Sequence, residues 1–239
     1  MPKEIKKFKK NKEFLNQLPS WEKEYKKTDK TYLNFSKSDW KDAKAYFAKH
    51  DLKIFGEPVM EDWEDPYMKD LAKIAAMNGG TILEIGYGMG ISSKYIQKYN
   101  IKKHIIIEAN KDVAEKAKKF AKKAKHKTKI VVGLWEDVID KIPNNSIDGI
   151  LFDSYPLSEE ELYQNHFNFF PFAYKKLKKG GVFTYYSDEI KKFSKIHLKR
   201  LKKVGFKLKN IKNKVTKVNP PKNCIYWKAK TILSPIIIK

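Results

Sequence analysis

The sequence predicts an α/β domain in which a seven-stranded, mostly parallel sheet carries helices on both faces. Short apolar runs alternate with helix-patterned stretches through five units from Thr81 onward, and a glycine cluster closes the first run. Two longer strand-like segments then follow in the tail. Strands that alternate with helices pair in parallel, because each crossover helix lies on a face of the sheet and returns the chain in the same direction.

TILEIG (81–86) is a short apolar run ending in glycine, followed by a helical stretch from Ser92 to Tyr99. HIIIEA (104–109) has the unbroken apolar pattern of a buried strand. Asn110 is placed to cap the next helix, whose apolar residues Val113, Ala117, Phe120, Ala121 and Ala124 recur at helical spacing. KIVVG (129–133), IDGILFD (147–153) and GGVFTYY (180–186) continue the strand series, with a helix ending near Leu177 before the last of them. A further helix is expected over 189–203, before Gly205. Strands at 206–218 and 223–233, joined through Pro220 and Pro221, complete the set, with Cys224 buried in the second. Residues 1–50 are lysine-rich, helical in pattern and dotted with aromatics.

Composition narrows the function classes. Hydrophobic residues make up 41% and aromatics 13% of the 239 residues, enough for a sizeable core beside 33% charged residues. No run of about 18 apolar residues occurs, and MPKEIKKFKKNKEF lacks a secretory apolar stretch, so a cytoplasmic protein without membrane contact is expected. The single cysteine excludes a disulfide framework and a multi-cysteine metal site. His50, His104, His126, His166 and His197 are scattered without ligand spacing, so no metal is expected. A formal charge of +23 raises the question of nucleic acid, since clustered cations release counterions from phosphates. Yet Arg200 is the one arginine among 51 basic residues, and bidentate phosphate and base recognition favours arginine. The lysines run along the whole chain, which fits a solvated surface, and nucleic acid is not an expected partner.

The first strand runs into Glu84-Ile85-Gly86-Tyr87-Gly88-Met89-Gly90. In an open α/β sheet, ligands bind at the carboxyl ends of the strands. Glycines there allow a tight turn and close backbone approach, and the following helix offers free N–H groups. A dinucleotide fingerprint would need glycine where Ile91 stands. Glu108, one strand–helix–strand unit later, closes the second strand where a carboxylate can accept hydrogen bonds from ribose hydroxyls. E-x-G-x-G with an acidic end to strand two is the general pattern of Rossmann-like class I S-adenosylmethionine-dependent methyltransferases.

Asp153, in LFDSYPLSEEE (151–161), ends the fourth strand and faces the same crevice. VMEDWEDPYM (59–68) adds Glu61, Asp62, Glu64 and Asp65 ahead of the first strand. These acids either form an exposed helix start, where carboxylates meet the helix dipole, or one of them joins Asp153 over a substrate. A guanidinium is planar, and its parallel N–H donors match a carboxylate bidentately. With a pKa above about 12 it is a poor nucleophile until it loses a proton. Two carboxylates could orient it while one takes that proton. Spacing leaves open which of the four acids serves.

At these residues the chain resembles the guanidinoacetate N-methyltransferase family. The similar segments are GEPVMEDWEDPYM (56–68), LEIGYGMGI (83–91), IIIEAN (105–110), GLWEDV (133–138) and IDGILFDSYPLSEEE (147–161), followed by HFNF (166–169), GGVFTY (180–185) and PPKNCIYW (220–227). The resemblance implies S-adenosylmethionine as cofactor, giving S-adenosylhomocysteine. Gly86, Tyr87, Gly88, Met89, Gly90 and Ile91 would hold its methionine part, and Glu108 its ribose, with Ala109 and Asn110 nearby. Trp135 and Glu136 would flank the adenine, Met60 and Met68 would line the pocket, and Trp40 stands near the family's N-terminal tryptophan. Glu64 is similar to the family's guanidinium-binding glutamate and Asp153 to its catalytic aspartate, which also reaches the cofactor. The expected activity is N-methylation of a small guanidino compound, with guanidinoacetate, giving creatine, as lead substrate. A 1–60 helical extension covering the active site, a 61–239 methyltransferase domain, and a monomer or homodimer are expected.

Departures from the family open alternatives. The segment that holds the substrate carboxylate through neutral backbone amides here reads Tyr186-Ser187-Asp188-Glu189, and the stretch before Gly205 is shorter. Asp188 and Glu189 are therefore candidate substrate-binding residues that would oppose an anionic tail and suit another guanidine or amine. Protein arginine poses the same guanidine problem to an enzyme. RNA methylation is disfavoured, because no [DN]-P-P-[YFW] follows the fourth strand; Asn219-Pro220-Pro221 reads as a turn. A cofactor-fold binding module without catalysis would have little use for both Glu64 and Asp153.

Overall fold

The structure, a computed structural model, describes residues 35–239 apart from 159, 160 and 163. It opens with the short helix α1 (Lys37–Asp42), capped by Ser36, whose side chain accepts from the Asp39 amide. Three short antiparallel strands follow: β1 (Ala45–Phe47), β2 (Asp51–Ile54) and β3 (Glu57–Glu61). Phe55 (φ 55°) and Gly56 (φ 83°) turn β2 into β3, the pair of positive φ angles that a tight hairpin requires. The expected helical extension over 1–60 is corrected here: residues 45–61 form a small sheet, because apolar residues alternate there rather than recur at helical spacing. Residues 1–34 lie outside the described residues.

The main sheet matches the expected class. Its strands are β4 (Thr81–Ile85), β5 (Lys103–Glu108), β6 (Thr128–Val132), β7 (Ile147–Phe152), β8 (Leu177–Tyr185), β9 (Ile211–Lys217) and β10 (Thr231–Ile238). They lie in the order β6-β5-β4-β7-β8-β10-β9, and the first five are parallel. β10 runs antiparallel between β8 and β9. The connecting helices are α2 (Asp65–Ala75) ahead of the sheet, then α3 (Ile91–Ile96), α4 (Lys111–Lys123), α5 (Trp135–Val138), α6 (Asn165–Lys176) and α7 (Lys195–Lys203). Ile82, Leu83, Ile106, Ile150, Leu151, Val182 and Phe183 are wholly enclosed, as expected of strands covered on both faces. Strand order turns at β4, where β5 lies on one side and β7 on the other, so the crevice opens at the carboxyl ends of these strands. No helix among the described residues is long and apolar enough to cross a membrane.

Two tail expectations are corrected. The helix expected over 189–203 begins at Lys195, because Ser194 caps it and Asp188 takes a left-handed turn (φ 55°). The final strand runs Thr231–Ile238 rather than 223–233. Pro235 is tolerated because β10 pairs with β8 only at Ile237 and Ile238, so no ladder bond to β8 is lost at the proline. Cys224 is buried as expected, but in the loop before β10, where Trp227 fills space from an irregular segment.

Candidate active site

The glycine loop is shaped by what crosses it. Gly86 has φ 86°, and a Cβ there would sit 1.9 Å from the Asp153 carbonyl oxygen, so only glycine lets β4 and β7 end side by side. Gly90 (φ 70°) caps α3 in left-handed geometry, and a Cβ would enter the Tyr87 ring at 2.5 Å. Met60, at the end of β3, braces the loop: its Sδ lies 3.4 Å from the Met89 amide and accepts its hydrogen. Met68 is wholly buried in α2, and Ile91 begins α3.

Two buried carboxylates fix this end of the sheet. Glu84 accepts from the Ser92 and Ser93 hydroxyls of α3 and lies 2.9 Å from His104 Nε2 of β5. Glu108 accepts from the Tyr87 amide at 2.8 Å and the Asn110 amide at 2.8 Å, beside Ala109. Burial raises the Glu108 carboxyl, and the backbone amides of Tyr87, Asn110, Gly88 and Ala109 oppose that rise. Of these amides those of Tyr87 and Asn110 are in hydrogen-bond geometry, one on each oxygen, and each oxygen has two acceptor sites, so Glu108 retains capacity for a hydroxyl. The side chain of Asn110 is fully occupied within the protein: Oδ1 caps α4 by accepting from the Val113 amide, and Nδ2 donates to the Trp40 and Ala43 carbonyls. It fastens the α1 segment over the crevice.

Trp40 is buried and stacks on Tyr155, just past β7, with centroids 4.7 Å apart and planes at 9°. Trp135 is held edge-on by Phe152, Phe169 and Phe172. Next to it, Glu136 Oε1 pairs with Lys37 at 2.8 Å, while Oε2 is buried without a hydrogen-bond partner among the described residues.

Glu64 and Asp153 meet across the crevice. Glu64, 3% exposed, ends the 3-10 turn Asp62–Glu64. Its Oε1 accepts from the Glu61 amide at 2.8 Å and from the Tyr226 hydroxyl at 2.7 Å. Burial first and the Asp153 charge second push its carboxyl up to about 8, against the pull of those two donors. Asp153 is anchored through its amide to the Ile85 carbonyl at 2.9 Å. Burial, then Glu84 and Glu108, push its carboxyl up to about 7. Of the four acids ahead of the first strand, Glu64 is the buried one, and the Asp153 charge acts on it. Glu61 instead accepts from Trp63 Nε1, Asp62 pairs with His50, and Asp65 accepts from the Tyr95 hydroxyl.

Asp188 and Glu189, just past β8, separate in role. Glu189 Oε1 accepts from the Ser194 amide at 2.9 Å and lies 3.0 Å from His197 Nδ1, which ties it to the start of α7. Asp188 Oδ2 lies 3.7 Å from His166 Nδ1. Tyr186, between these acids and β8, has its amide bonded to the Phe152 carbonyl at 3.0 Å. Its ring meets Tyr67 edge-on at 5.1 Å, and burial together with Glu64, Asp188, Tyr67 and Asp153 raises its phenol.

The guanidinoacetate N-methyltransferase family model matches residues 33–239. The chain belongs to this family. Protein arginine N-methyltransferase 2 of Yarrowia lipolytica is 31% identical to it over 137 residues, 54% of this chain and 28% of that protein. The Saccharomyces cerevisiae protein of the same name is 31% identical over 137 residues, 54% of this chain and 32% of that protein. The chain thus spans under a third of the length of these relatives. Among solved structures, spermidine synthase from Thermotoga maritima superposes with a TM-score of 0.58 at 19% identity, covering 82% of this chain and 72% of that one. The TYW2 protein of M. jannaschii in complex with AdoMet gives a TM-score of 0.54 at 15% identity, covering 83% and 85%. These likenesses show the fold. The chain has the fold of class I S-adenosylmethionine-dependent methyltransferases.

The Gly86 to Gly90 loop is a cradle that a Cβ would fill, Glu108 keeps acceptor capacity at the end of β5, and Glu136 Oε2 is a buried acceptor that a bound donor would satisfy. Sequence reasoning did not single out Tyr226, Tyr186 or Tyr155. Tyr226 lies in the PPKNCIYW segment and Tyr155 in D-x-Y-P, so the resemblance covered both, but no spacing rule ties residue 226 to residue 64.

Proposed function

We propose that the chain transfers a methyl group to a guanidino nitrogen of a small molecule, with guanidinoacetate, which would become creatine, the first candidate on family grounds. The observation behind this reading is the pair Glu64 and Asp153, two carboxyls raised by burial, with the Asp153 charge adding to the rise of Glu64 and the charges of Glu84 and Glu108 to that of Asp153. A planar cation with N–H donors along two edges relieves the cost of burying them from both sides. S-adenosylmethionine supplies a methyl group on an electrophilic sulfonium sulfur. Glu64, its Oε1 held by the Glu61 amide and the Tyr226 hydroxyl, accepts from the guanidinium at Oε2 and orients its plane. Asp153 accepts from the attacking nitrogen and takes its proton as the nitrogen–carbon bond forms and the sulfur–carbon bond breaks, leaving S-adenosylhomocysteine. A carboxyl raised to about 7 is a better base than an ordinary aspartate at neutral pH. In this reading residues 35–60, Trp40 among them, cover the crevice, and residues 61–239 carry the chemistry.

A second reading, methylation of arginine within a protein, is favoured by the fungal relatives and uses the same carboxylate pair. One experiment separates the two. Purified full-length protein is given methyl-labelled cofactor with guanidinoacetate, other small guanidines, an arginine-containing peptide or total RNA. Label in a small guanidine supports the first reading, and label confined to the peptide supports the second. Label confined to RNA removes both.

A further inference from the structure

We propose that Glu61 is a positioning residue for the guanidine-binding carboxylate, acting through Trp63 and Tyr226 to hold Glu64 in place. The inference rests on the guanidine reading above and names what keeps Glu64 oriented. Tyr226 reaches Glu64 from residues 221–230, a stretch that forms neither helix nor strand. No ladder or helix bond fixes that stretch, so the place of the Tyr226 hydroxyl depends on side-chain contacts.

Those contacts converge on Glu61. Its Oε2 accepts from Trp63 Nε1 at 2.7 Å, which folds the indole back along its own segment. The Trp63 ring then meets the Tyr226 ring with centroids 5.7 Å apart and planes at 35°. The Glu61 amide donates to Glu64 Oε1 at 2.8 Å, the same oxygen that takes the Tyr226 hydroxyl at 2.7 Å. Cys224, two residues before Tyr226, ties the loop to the same acid. Burial first pushes its thiol up to about 11, and the charge of Glu61 and a hydrogen bond to it add to that rise. One side chain thus holds the ring that Tyr226 packs on and the loop that carries it, while the amide of the same residue holds Glu64. The rival role for Glu61 is simply to end β3. Met60, its neighbour on that strand, braces the glycine loop at the Met89 amide. A general loosening of β3 would therefore weaken cofactor binding together with guanidine binding, whereas loss of the Glu61–Trp63–Tyr226 relay would weaken guanidine binding alone.

The test measures kcat and KM of the full chain for guanidinoacetate, or for the arginine-containing peptide where guanidinoacetate is not turned over. The Kd for S-adenosylmethionine is measured alongside. In Glu61→Ala, KM is expected to rise about tenfold, the effect of loosening one hydrogen bond to a charged acceptor, with the cofactor Kd unchanged. Glu61→Gln keeps an acceptor for Trp63 and should recover most of that loss. Trp63→Phe keeps a ring, loses the donor and should raise KM in the same sense, so the test stands even where Glu61→Ala does not fold. Combining Glu61→Ala with Tyr226→Phe should be little worse than Tyr226→Phe alone, because a relay that ends on the Tyr226 hydroxyl has nothing further to lose. Losses that multiply in the double variant overturn the proposal, since Glu61 would then act apart from Tyr226. So does a cofactor Kd that rises in step with KM, or a wild-type KM in Trp63→Phe, and each of these leaves the guanidine reading standing. Methylation of neither substrate, with S-adenosylmethionine still bound, removes the guanidine reading and this proposal together.

Discussion

The two halves of the crevice are built by different means. At the ends of β4 and β5 the site is made of backbone: left-handed glycines, amides that hold Glu108, and a helix start fastened to Glu84. At the ends of β7 and β8 it is made of side chains drawn from distant parts of the chain, with Glu64, Asp153 and Tyr226 converging. Backbone geometry suits an invariant cofactor, and side chains suit a substrate that must be oriented and deprotonated. Each half should therefore fail in its own way when altered.

The largest effect is expected on the side-chain half. Asp153→Asn keeps the shape and removes the base, so kcat should fall about 10²–10⁴-fold, while the Kd for S-adenosylmethionine, measured by calorimetry, moves little. Glu64→Gln should act mainly on KM for the guanidine, because a neutral amide offers one acceptor where the carboxylate offers two. Retention of wild-type rates in both variants would falsify the assignment of the pair. Next in size is Gly86→Ala on the backbone half. Its Cβ must displace the Asp153 carbonyl oxygen from 1.9 Å, so cofactor affinity and turnover should be lost together. A variant that binds cofactor normally would show that the loop yields without cost.

That contrast also explains what could be read in the sequence. The backbone half was legible because its requirements are local: Gly86, Gly88 and Gly90 follow a strand, and Glu108 ends the next one. The parallel pairing of the five strands followed from the alternation of elements, whereas their order did not. The side-chain half was not legible from spacing. Four acids stood together at 61–65, and only the 3-10 turn, which sends Asp62 to His50 and Asp65 to Tyr95, leaves Glu64 facing inward. Tyr226 comes from an irregular loop more than a hundred and fifty residues away, as its separation of 162 from Glu64 records, and no periodicity marks such a contact. The small sheet at 45–61 was missed because three- to five-residue strands are too short for alternation to stand out from helical spacing.

A smaller effect is expected from Tyr226→Phe. It removes one hydrogen bond to a charged acceptor, worth about 1.5–3 kcal/mol, and should cost roughly ten- to a hundredfold in kcat/KM for the guanidine. Cofactor affinity should be unchanged, since Tyr226 belongs to the other half. If cofactor affinity falls equally, the two halves are coupled through the α2 start, and the division drawn above is too sharp.

The smallest effect concerns stability, and its sign follows from the carboxyl shifts. Asp153 is raised from 3.8 to about 7 and Glu64 from 4.5 to about 8. Between the ordinary and raised values the folded chain holds protons that the unfolded chain has lost, so stability from these groups falls as pH rises from about 4 to about 8. Above that range both are charged in the fold and repel each other. Replacing them by Asn and Gln removes the cost of burying two charges at high pH and changes least below about pH 4, where the groups are neutral folded and unfolded alike. The Tm of the double variant without ligands should therefore lie nearest that of wild type below about pH 4 and exceed it increasingly up to about pH 8. Comparing the two proteins at each pH cancels the titration of the lysine-rich surface, which they share. A Tm difference that stays constant from about pH 4 to about pH 9 would show that neither carboxyl is raised in the folded enzyme, and the case for a cation between them would lose its electrostatic basis.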